Sequence, residues 1–461
     1  MKVDFLTTAG AVAAMSGGSL VKGRADTRFS TITTDSRELG PECLFIPIAG
    51  ERFNGHEFIG GLARDRKIAG YLTHEVHASG DTDDDVAVIA CDDTLRALGS
   101  IAAAHRNTAD LRVIGITGTN GKTTTKELLW TILNARYRCL KNEKNYNNEI
   151  GLPFTLLRLD ASHEMAVVEM GMNHHGEIDR LAAIARPDMA VITNVGEGHI
   201  EFLGGIEGVA RAKSEIMNAM AAGSVVFINR DTDCFDFLHS RAMEKGLRVV
   251  NFGIHGGADV MPDSYELTRE SVTVTVNGVK YAAPLYGLHN VYNILAAISV
   301  AFEIGMGGED IREALLGFRG VGMRSEVIDR GYIIINDSYN SNPLSTQYSL
   351  ESVKRVFPER RRIAVLSDML ELGEHSRECH ERAGRMVVAS GFDLLLAWGP
   401  MAKDIAVGAG KAGMDSGSIH YFENKNDLSA HLAHILTESD VVLVKGSRSM
   451  KMEEVVDAIV H

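Results

Sequence analysis

Cysteine is scarce in this sequence, and the spacing that would turn the few cysteines into a site is missing. Five cysteines are scattered over 461 residues, with no CxxC pair and no histidine cluster beside them. An odd number of widely separated cysteines is typical of reduced thiols in a cytoplasm, not of a disulfide framework or a zinc site. We therefore expect a cytoplasmic protein that has neither disulfides nor structural zinc.

An excess of basic residues is also absent. The chain has 47 Lys and Arg residues against 61 Asp and Glu residues, which gives a formal net charge of -14. A protein that binds nucleic acid independently of sequence needs a stripe of Lys and Arg to replace the phosphate counterions. We expect no nucleic-acid partner, so any polyanionic ligand must be bound by local groups.

Long apolar runs are missing as well. The apolar patch at residues 9–15 is short, follows Asp4 and is followed by glycines, whereas a membrane helix needs ~20 apolar residues. Internal repeats and low-complexity segments are not found either. We expect no signal peptide and no membrane span.

The most informative segment present is VIGITGTNGKTTT at residues 113–125, where an apolar run breaks into a loop of Gly, Thr and Lys. Gly118 and Gly121 allow backbone N–H groups to turn toward an anion, and Lys122 adds a positive charge. The Thr123 hydroxyl can hold a magnesium ion. The pattern predicts an ATP phosphate loop between a strand and a helix, although Ile116 stands where the usual pattern has glycine. The alternative is an ordinary strand-to-helix turn.

The chain length and the alternation of apolar strand patterns with amphipathic helix patterns predict an α/β protein with three domains. At ~150 residues per domain, a chain of this length forms about three. We expect a small N-terminal α/β substrate domain at residues 1–90, with a strand at 43–48 and a helix at 60–69. A central P-loop ATPase domain with a parallel sheet follows at 91–321, and a C-terminal Rossmann-like, doubly wound domain at 322–461.

Apolar runs mark the strands of the two larger domains. In the central domain they lie at residues 112–116, 165–169, 189–194 and 225–229, followed by a hairpin at 271–279 that turns at Asn277-Gly278. A glycine-rich hinge at 317–322 precedes the third domain. Its strands are predicted at 332–336, 363–367, 394–398 and 441–444.

Ionisable residues follow the central strands, and ligands of parallel sheets gather at the carboxyl ends of strands. Thr123 and Glu169 would form one magnesium site beside the ATP phosphates. A second ion would be held by His199 and by Lys213, if the Lys213 amine reacts with carbon dioxide to form a carbamate. Taken singly, each residue also has a purely structural interpretation. Glu169 could cap a helix, His199 could be a hydrogen-bonded core residue, and Lys213 could be a solvated surface residue.

A second polar loop at residues 144–153 contains Asn147 and Asn148. Side-chain amides can donate to phosphate or to a substrate carboxylate without adding charge, which suits a crowded anionic site. An asparagine-rich turn is the alternative.

Eight segments carry a family resemblance. In chain order they are GITGTNGKTTTK (115–126), NYNNEIGLP (145–153), EMGMNHHGEI (169–178), ITNVGEGH (192–199), GLHN (287–290), GMR (322–324), DSYNSNP (337–343) and KGSRSM (445–450). Together they resemble the Mur ligases of peptidoglycan synthesis, most closely the members that add D-alanyl-D-alanine. The resemblance covers nearly the whole chain in the right order.

The resemblance implies an ATP-dependent amide ligase that acts through an acyl phosphate. The carboxylate of a UDP-N-acetylmuramoyl-tripeptide would receive the γ-phosphoryl group, and the amine of D-alanyl-D-alanine would then displace phosphate. The implied catalytic residues are Lys122, Glu169, His199 and Lys213. The residues implied to bind ATP are Gly118, Thr119, Asn120, Gly121, Lys122, Thr123, Thr124, Asn290 (adenine), Arg324 (phosphates) and Asp337 (ribose).

The family also implies where the other substrates bind. The uridine diphosphate group would be held by Ser36, Arg37, Asn54, Gly55 and His56, and the peptide substrates by Asn147, Asn148, Tyr339, Asn340 and Asn342. We expect a monomer. The alternatives are another Mur ligase step, a folylpolyglutamate synthase-like ligase, or a P-loop regulator without ligation chemistry. The joint presence of Glu169, His199 and Lys213 favours a ligase, and the segment at 338–340 favours the dipeptide as amine substrate.

Overall fold

The computed structural model describes residues 1–50, 53–64, 67–74, 85–320 and 322–460. Within these ranges the strands are β1 (Lys2–Thr8), β2 (Ser19–Lys22), β3 (Arg28–Thr33), β4 (Cys43–Phe45), β5 (Ala49–Gly50), β6 (Phe53–Asn54), β7 (Gly70–Thr73), β8 (Ala87–Ala90), β9 (Arg112–Thr117), β10 (Cys139–Lys141), β11 (Met165–Glu169), β12 (Met189–Ile192), β13 (Val225–Asn229), β14 (Arg248–Phe252), β15 (Ser264–Leu267), β16 (Val272–Val276), β17 (Val279–Ala283), β18 (Glu326–Asp329), β19 (Ile333–Asp337), β20 (Arg361–Ser367), β21 (Leu394–Trp398), β22 (Ile419–Phe422) and β23 (Asp440–Lys445). The α-helices are α1 (Ala9–Ser16), α2 (Ile59–Arg64), α3 (Thr94–Arg106), α4 (Lys122–Asn134), α5 (Gly151–Leu156), α6 (Glu177–Ala185), α7 (Ile200–Leu203), α8 (Ile206–Ser214), α9 (Phe235–Glu244), α10 (His289–Glu303), α11 (Gly308–Leu315), α12 (Pro343–Val356), α13 (Ser376–Ala389), α14 (Lys403–Lys411), α15 (Lys425–Ile435) and α16 (Glu453–Val460).

The N-terminal sheet is mixed, with strand order β1-β3-β4-β7-β8-β2. Its inner strands are parallel, and β1 and β2 run antiparallel at the two edges. The strand predicted at 43–48 ends at Phe45, two residues before Pro47, whose ring nitrogen has no N–H to donate to a ladder. The helix predicted at 60–69 is shorter and ends at Arg64, and residues 65 and 66 lie outside the described residues.

The central sheet is parallel throughout, with strand order β10-β11-β9-β12-β13-β14. The strands predicted at 165–169 and 225–229 have those bounds in the structure. The strand predicted at 189–194 ends at Ile192, and the next residue, Thr193, donates its hydroxyl to the Asn120 carbonyl at 2.6 Å. Strand β9, which leads into the phosphate loop, lies between β11 and β12 inside this sheet.

A small antiparallel sheet, β15-β16-β17, follows the central sheet. Its predicted turn is present, with Asn277 at φ +51° and Gly278 at φ +77°, the left-handed values of a tight hairpin. The hinge prediction includes residue 321, which lies outside the described residues, so the domain boundaries stay a prediction.

The C-terminal sheet has strand order β18-β19-β23-β20-β21-β22 and is parallel except for the edge strand β18. Successive residues of β19 pack into different cores: Ile333 and Ile335 into one, Ile334 into the other. Both faces are therefore covered, as the doubly wound prediction requires. No helix among the described residues combines the length and apolar composition needed to cross a bilayer.

Helices α13 and α14 pack so closely that only glycine fits at their contact. A Cβ atom at Gly408 would lie 2.0 Å from the Glu381 carbonyl oxygen, and one at Gly384 would lie 2.0 Å from the Ile405 carbonyl oxygen. Gly410, on the same helix as Gly408, has only an ordinary contact at 3.8 Å from Ile419.

We expect Gly408→Ala to lower the free energy of unfolding by about 1–3 kcal/mol, because the two helices must separate to accommodate the methyl group. The matched control Gly410→Ala should leave stability unchanged or raise it by up to about 1 kcal/mol. Chemical denaturation followed by tryptophan fluorescence measures the stability of both variants, since Trp398 lies on β21 of the C-terminal sheet. Equal effects of the two substitutions would contradict this packing.

Candidate active site

The phosphate loop connects β9 to α4 and depends on two glycines. Gly118 has φ +148° and Gly121 has φ +81°. A Cβ atom at Gly118 would lie 1.8 Å from Thr193 Oγ1, and one at Gly121 would lie 2.2 Å from Asn293 Oδ1. No larger residue fits at either position, so the loop backbone stays close to the neighbouring polar side chains.

The first glycine of the usual phosphate-loop pattern is not needed in this structure. Ile116, which occupies that position, is a fully buried residue of strand β9. The strand continues through Thr117, and the chain first turns at Gly118. The loop is therefore shorter than the usual one, which explains the departure seen in the sequence.

Lys122 begins helix α4 and folds back over the loop. Its Nζ donates to the carbonyl oxygens of Gly118 at 2.8 Å and Thr119 at 3.1 Å. Burial lowers the pKa of Lys122, although the Glu169 carboxylate opposes the shift. An anion bound in the loop would raise the pKa of this amine, because an opposite charge nearby favours the charged form.

Glu169 ends strand β11, is 2% exposed, and has a partner for each carboxylate oxygen. Thr123 Oγ1 donates to Oε2 at 2.8 Å, and Asn147 Nδ2 donates to Oε1 at 2.7 Å. The structure thus brings together Thr123 and Glu169, the predicted ligands of the first magnesium ion, beside Lys122.

Arg324 reaches this pair from the segment that precedes the C-terminal sheet. Its Nη2 donates to Thr123 Oγ1 at 3.1 Å, and its guanidinium carbon lies 3.9 Å from the centroid of the Tyr339 ring. Cation–π stacking on Tyr339 fixes the direction of the guanidinium. The site therefore has one wall from the central part of the chain and one from the C-terminal part.

A cavity lies between these two walls. The predicted residues that line it are Thr119, Asn120, Gly121, Lys122, Thr123, Thr124, Asn147, Glu169, Arg324, Asp337, Tyr339 and Asn340. The predicted residues that do not line it are Ser36, Arg37, Asn54, Gly55, His56, Gly118, Asn148, His199, Lys213, Asn290 and Asn342.

Asp337 lies at the end of β19 and accepts three hydrogen bonds. Its Oδ2 accepts from Lys445 Nζ at 2.6 Å and from Ser349 Oγ at 2.7 Å, and its Oδ1 accepts from the Ser325 N–H at 3.1 Å. Burial alone would raise the pKa of Asp337, but Lys445 and Ser349 outweigh it and the net pKa is lowered. The carboxylate is therefore ionised beside the cavity.

The sequence prediction missed several residues that line the cavity, among them His289, Ser345, Tyr348, Ser349 and Lys445. Lys445 could have been found, because it ends strand β23 and strand ends are where ligands gather. His289 gives no such signal. Burial lowers the pKa of His289 to about 4, so its imidazole is neutral near pH 7.

Asn290, the predicted adenine contact, is turned away from the cavity. It is buried, its Nδ2 donates to the Tyr286 carbonyl at 2.8 Å, and its Oδ1 accepts from Asn293 Nδ2 at 2.8 Å. In this arrangement its amide stabilises the start of α10, and the neighbouring His289 lines the cavity.

His199 is held by the C-terminal part of the chain. Its Nδ1 lies 2.6 Å from Glu371 Oε2, and this contact lowers the pKa of the Glu371 carboxyl. The residue has φ +61°, a left-handed conformation that is uncommon outside glycine. Among the residues that the structure describes, no group of three or more His, Cys, Asp or Glu side chains is arranged around a metal position.

Lys213, on helix α8, is 2% exposed. Its amine has no hydrogen bond or ion pair with any residue in the described ranges. Burial, with a smaller contribution from Lys122, lowers the pKa of Lys213 well below its usual value. The predicted ligand is therefore a buried amine whose charged form is destabilised by its surroundings.

Asn148 and Asn342 both act as caps. Asn148 Oδ1 accepts from the Gly151 N–H at 2.8 Å, where α5 begins. Asn342 caps α12 and also exchanges two hydrogen bonds with Asn120 of the phosphate loop, at 3.1 and 2.8 Å. The Asn120–Asn342 amide pair is a second direct link between the two walls of the cavity.

The predicted uridine-site residues lie beside the N-terminal sheet. Arg37 is exposed and paired with Asp35 at 2.7 Å, and Ser36 lies between these two residues. Asn54 caps the short turn at Gly55–Phe58 and accepts from His56 Nδ1 at 2.9 Å. Their roles stay a prediction.

Comparison with known proteins agrees with this geometry. The model of the Mur ligase middle domain matches residues 116–301, and that of the Mur ligase glutamate ligase domain matches residues 323–448. A Bacillus subtilis protein named UDP-N-acetylmuramoyl-tripeptide--D-alanyl-D-alanine ligase is 36% identical over 93% of each chain. A MurF crystal structure from Acinetobacter baumannii is 29% identical, with a TM-score of 0.91 over 99% of this chain and 100% of that one.

A MurF ligase structure from Thermotoga maritima in complex with ADP is also similar, at 26% identity and a TM-score of 0.82 over 93% of this chain and 96% of that one. The matched domains include the phosphate loop, Glu169 and Arg324, and together they cover more than half of the sequence. The chain belongs to the Mur ligase family.

Proposed function

We propose that this protein is an ATP-dependent amide ligase that joins D-alanyl-D-alanine to a UDP-N-acetylmuramoyl-tripeptide. The observation that carries the proposal is the contact at Thr123, whose hydroxyl donates to Glu169 and accepts from Arg324 beside Lys122. A phosphate loop, a strand-end carboxylate and a cation from a second domain are the parts that phosphoryl transfer requires. The B. subtilis relative carries this activity in its name.

The reaction has two steps. The tripeptide carboxylate attacks the γ-phosphorus of ATP, so an acyl phosphate forms and ADP leaves. The free amine of the dipeptide then attacks the acyl carbon, so an amide bond forms, the nitrogen loses a proton, and phosphate leaves with the electron pair of the broken C–O bond. Lys122 and Arg324 both line the cavity, where their charges would offset those that develop on the phosphoryl oxygens in both steps.

The donor set at Thr123 and Glu169 suits magnesium. Both ligands are oxygens, and magnesium prefers a site of one or two protein oxygens completed by phosphate and water. When bound there, the ion would supply positive charge beside the β- and γ-phosphates. We infer that a second ion would be held by His199 and Lys213, because Glu371 lies against His199 Nδ1 and the other ring nitrogen is left for a ligand.

Lys213 would take part as a carbamate. Its nitrogen lone pair attacks carbon dioxide, an N–C bond forms, and a proton is lost to solvent, which gives a carboxylate-like oxygen ligand. This reaction needs a neutral amine, and the burial of Lys213, which lowers its pKa, favours the neutral form.

The remaining assignments are extensions of the same proposal. Asn290 and Asp337 would hold the nucleoside of ATP, the former only after its amide leaves Tyr286 and Asn293. The residues Ser36, Arg37, Asn54, Gly55 and His56 would hold the uridine diphosphate group, and Asn147, Asn148, Tyr339, Asn340 and Asn342 the peptide substrates. We place the reaction in the cytoplasm, consistent with five free cysteines.

Three alternative functions are not favoured: another Mur step, a folylpolyglutamate synthase-like ligase and a non-catalytic regulator. The B. subtilis relative is named as the dipeptide ligase.

We expect phosphate release from ATP only when both a UDP-N-acetylmuramoyl-tripeptide and D-alanyl-D-alanine are present. Product mass identifies the amide, and parallel assays with the diaminopimelate and lysine forms of the tripeptide identify the accepted third residue. D-Glutamate, diaminopimelate and a pteroylglutamate with glutamate serve as controls for the alternative ligases. Product formed with one of these controls and not with the dipeptide would contradict the proposal.

We expect Lys213→Met to raise the free energy of unfolding by about 1–2 kcal/mol in carbonate-free buffer, because it removes a desolvated amine that has no partner. The folded-state pKa of Lys213 lies below the unfolded value, so the unfolded chain binds an extra proton and wild-type stability falls as the pH falls below about 10.5. The stability difference between variant and wild type should therefore shrink as the pH rises from 7 to 9. Denaturation curves at several pH values test this, and a Met variant less stable than wild type throughout would refute it.

We expect Lys213→Ala to abolish ligation and short carboxylic acids to restore part of the activity, because they can occupy the place of the carbamate. The same acids should not stimulate the wild-type enzyme, which is the control. Full activity of Lys213→Ala in bicarbonate-free buffer would rule out the carbamate.

A further inference from the structure

A second lysine, four residues after Lys122 on helix α4, is fully buried outside the cavity. The Nζ of Lys126 donates to the carbonyl oxygens of Asn142 at 2.7 Å and Lys144 at 3.3 Å. It also lies 3.2 Å from Glu127 Oε1. Residue 126 is not among those that line the cavity, so its charge is directed at the backbone of residues 142–148, which we call the asparagine loop.

Burial of this ammonium needs an explanation. Removing a charge from water costs several kcal/mol unless partners replace the water, and an apolar residue of similar length would avoid that cost. Glu127 supplies only a partly exposed counter-charge. The shortest contact is the one to the Asn142 carbonyl, so the cation cross-links the asparagine loop to helix α4.

The loop backbone is strained at the point where it is held. Lys144 has φ +46°, a left-handed conformation that is energetically unfavourable for a non-glycine residue. This conformation accompanies the convergence of the carbonyl groups of residues 142 and 144 on one ammonium. Such strain persists only when surrounding contacts hold it, and Lys126 is the buried contact that does so.

The same loop surrounds the end of strand β11. Asn142 Oδ1 accepts from the Glu169 N–H at 3.0 Å, and its Nδ2 donates to the Glu169 carbonyl at 3.2 Å. Asn147 accepts at its backbone oxygen from the Gly171 N–H at 2.8 Å and donates its side-chain amide to Glu169 Oε1. Both the backbone and the carboxylate of Glu169 are thus positioned by the asparagine loop.

We propose that Lys126 is a positioning residue for Glu169. Its ammonium holds the asparagine loop so that Asn147 occupies Glu169 Oε1, which leaves Oε2 directed toward Thr123 and the magnesium position. This inference rests on the proposed function only in taking Glu169 as the magnesium ligand. It does not depend on the identity of the peptide substrates.

The first test is hydrogen exchange of residues 142–148 in ligand-free Lys126→Met. Without the ammonium, the two carbonyl groups lose their partner, and we expect exchange in the loop to quicken at least tenfold. Lys141→Met is the matched control: Lys141 pairs with the same Glu127 and covers the Trp130 ring, but it donates to no carbonyl of the loop. Its loop exchange should match that of wild type.

The second test separates positioning from general stability by titration calorimetry with ADP, with and without Mg²⁺. In Lys126→Met we expect the ADP dissociation constant without Mg²⁺ to change less than threefold. The tightening by Mg²⁺, measured as the ratio of the dissociation constants without and with the ion, should be at least tenfold smaller than in the wild type. Asn147→Ala should lose a similar part of the tightening. The double variant should lose little more than either single variant, since both act on one contact.

Three outcomes would overturn the inference: unchanged loop exchange in Lys126→Met, a Mg²⁺ effect within twofold of wild type, or fully additive losses in the double variant. If Lys126→Met does not fold, Lys126→Gln, which keeps a donor, is measured in the same way. We then expect about half the increase in loop exchange and about half the loss of Mg²⁺ tightening. A failure of ligation with D-alanyl-D-alanine, with exchange and calorimetry as expected, would refute the proposed substrate and leave the role of Lys126 intact.

Discussion

The active site depends on one buried carboxylate. Glu169 is 2% exposed at the end of a central strand, where an unpaired charge would be strongly destabilising. Its oxygens are occupied by Thr123 from the phosphate-loop helix and by Asn147 from the asparagine loop. Because each oxygen has its own partner, the helix, the strand end and the loop can fit together in only one way. The phosphate loop is therefore held beside Glu169, which with Asp337 is one of two acidic side chains among the described residues that line the cavity.

A second constraint joins the two halves of the chain across the cavity. Arg324 bonds to Thr123, and Asn342 exchanges hydrogen bonds with Asn120, a residue 222 positions away in sequence. On the C-terminal side, Lys445 neutralises Asp337, and Arg324 adds a further positive charge to that wall. A ligand with as many charges as ATP is then met by Lys122 and Arg324 inside the cavity of a protein whose net charge is -14.

Sequence patterns predicted the parts of the structure that local physics determines. The strand at 165–169 has the predicted bounds because buried parallel strands are short apolar runs ended by polar residues. The Asn277-Gly278 turn was predictable for a similar reason, since its backbone needs left-handed residues. What the sequence could not supply are contacts between distant side chains. No local pattern indicates that Glu371 holds His199, or that Asn293 engages the amide of Asn290 and turns it from the cavity.

The most direct measurement is a crystal structure of the protein with Mg²⁺ and a non-hydrolysable ATP analogue. The account predicts the β- and γ-phosphates against residues 118–123, a metal ion bound to Thr123 Oγ1 and Glu169 Oε2, and the Arg324 guanidinium on a phosphate oxygen. Asn147 should still donate to Glu169 Oε1. An analogue bound in this cavity with its metal held by other residues, or with Glu169 turned away from Thr123, would contradict the central claim.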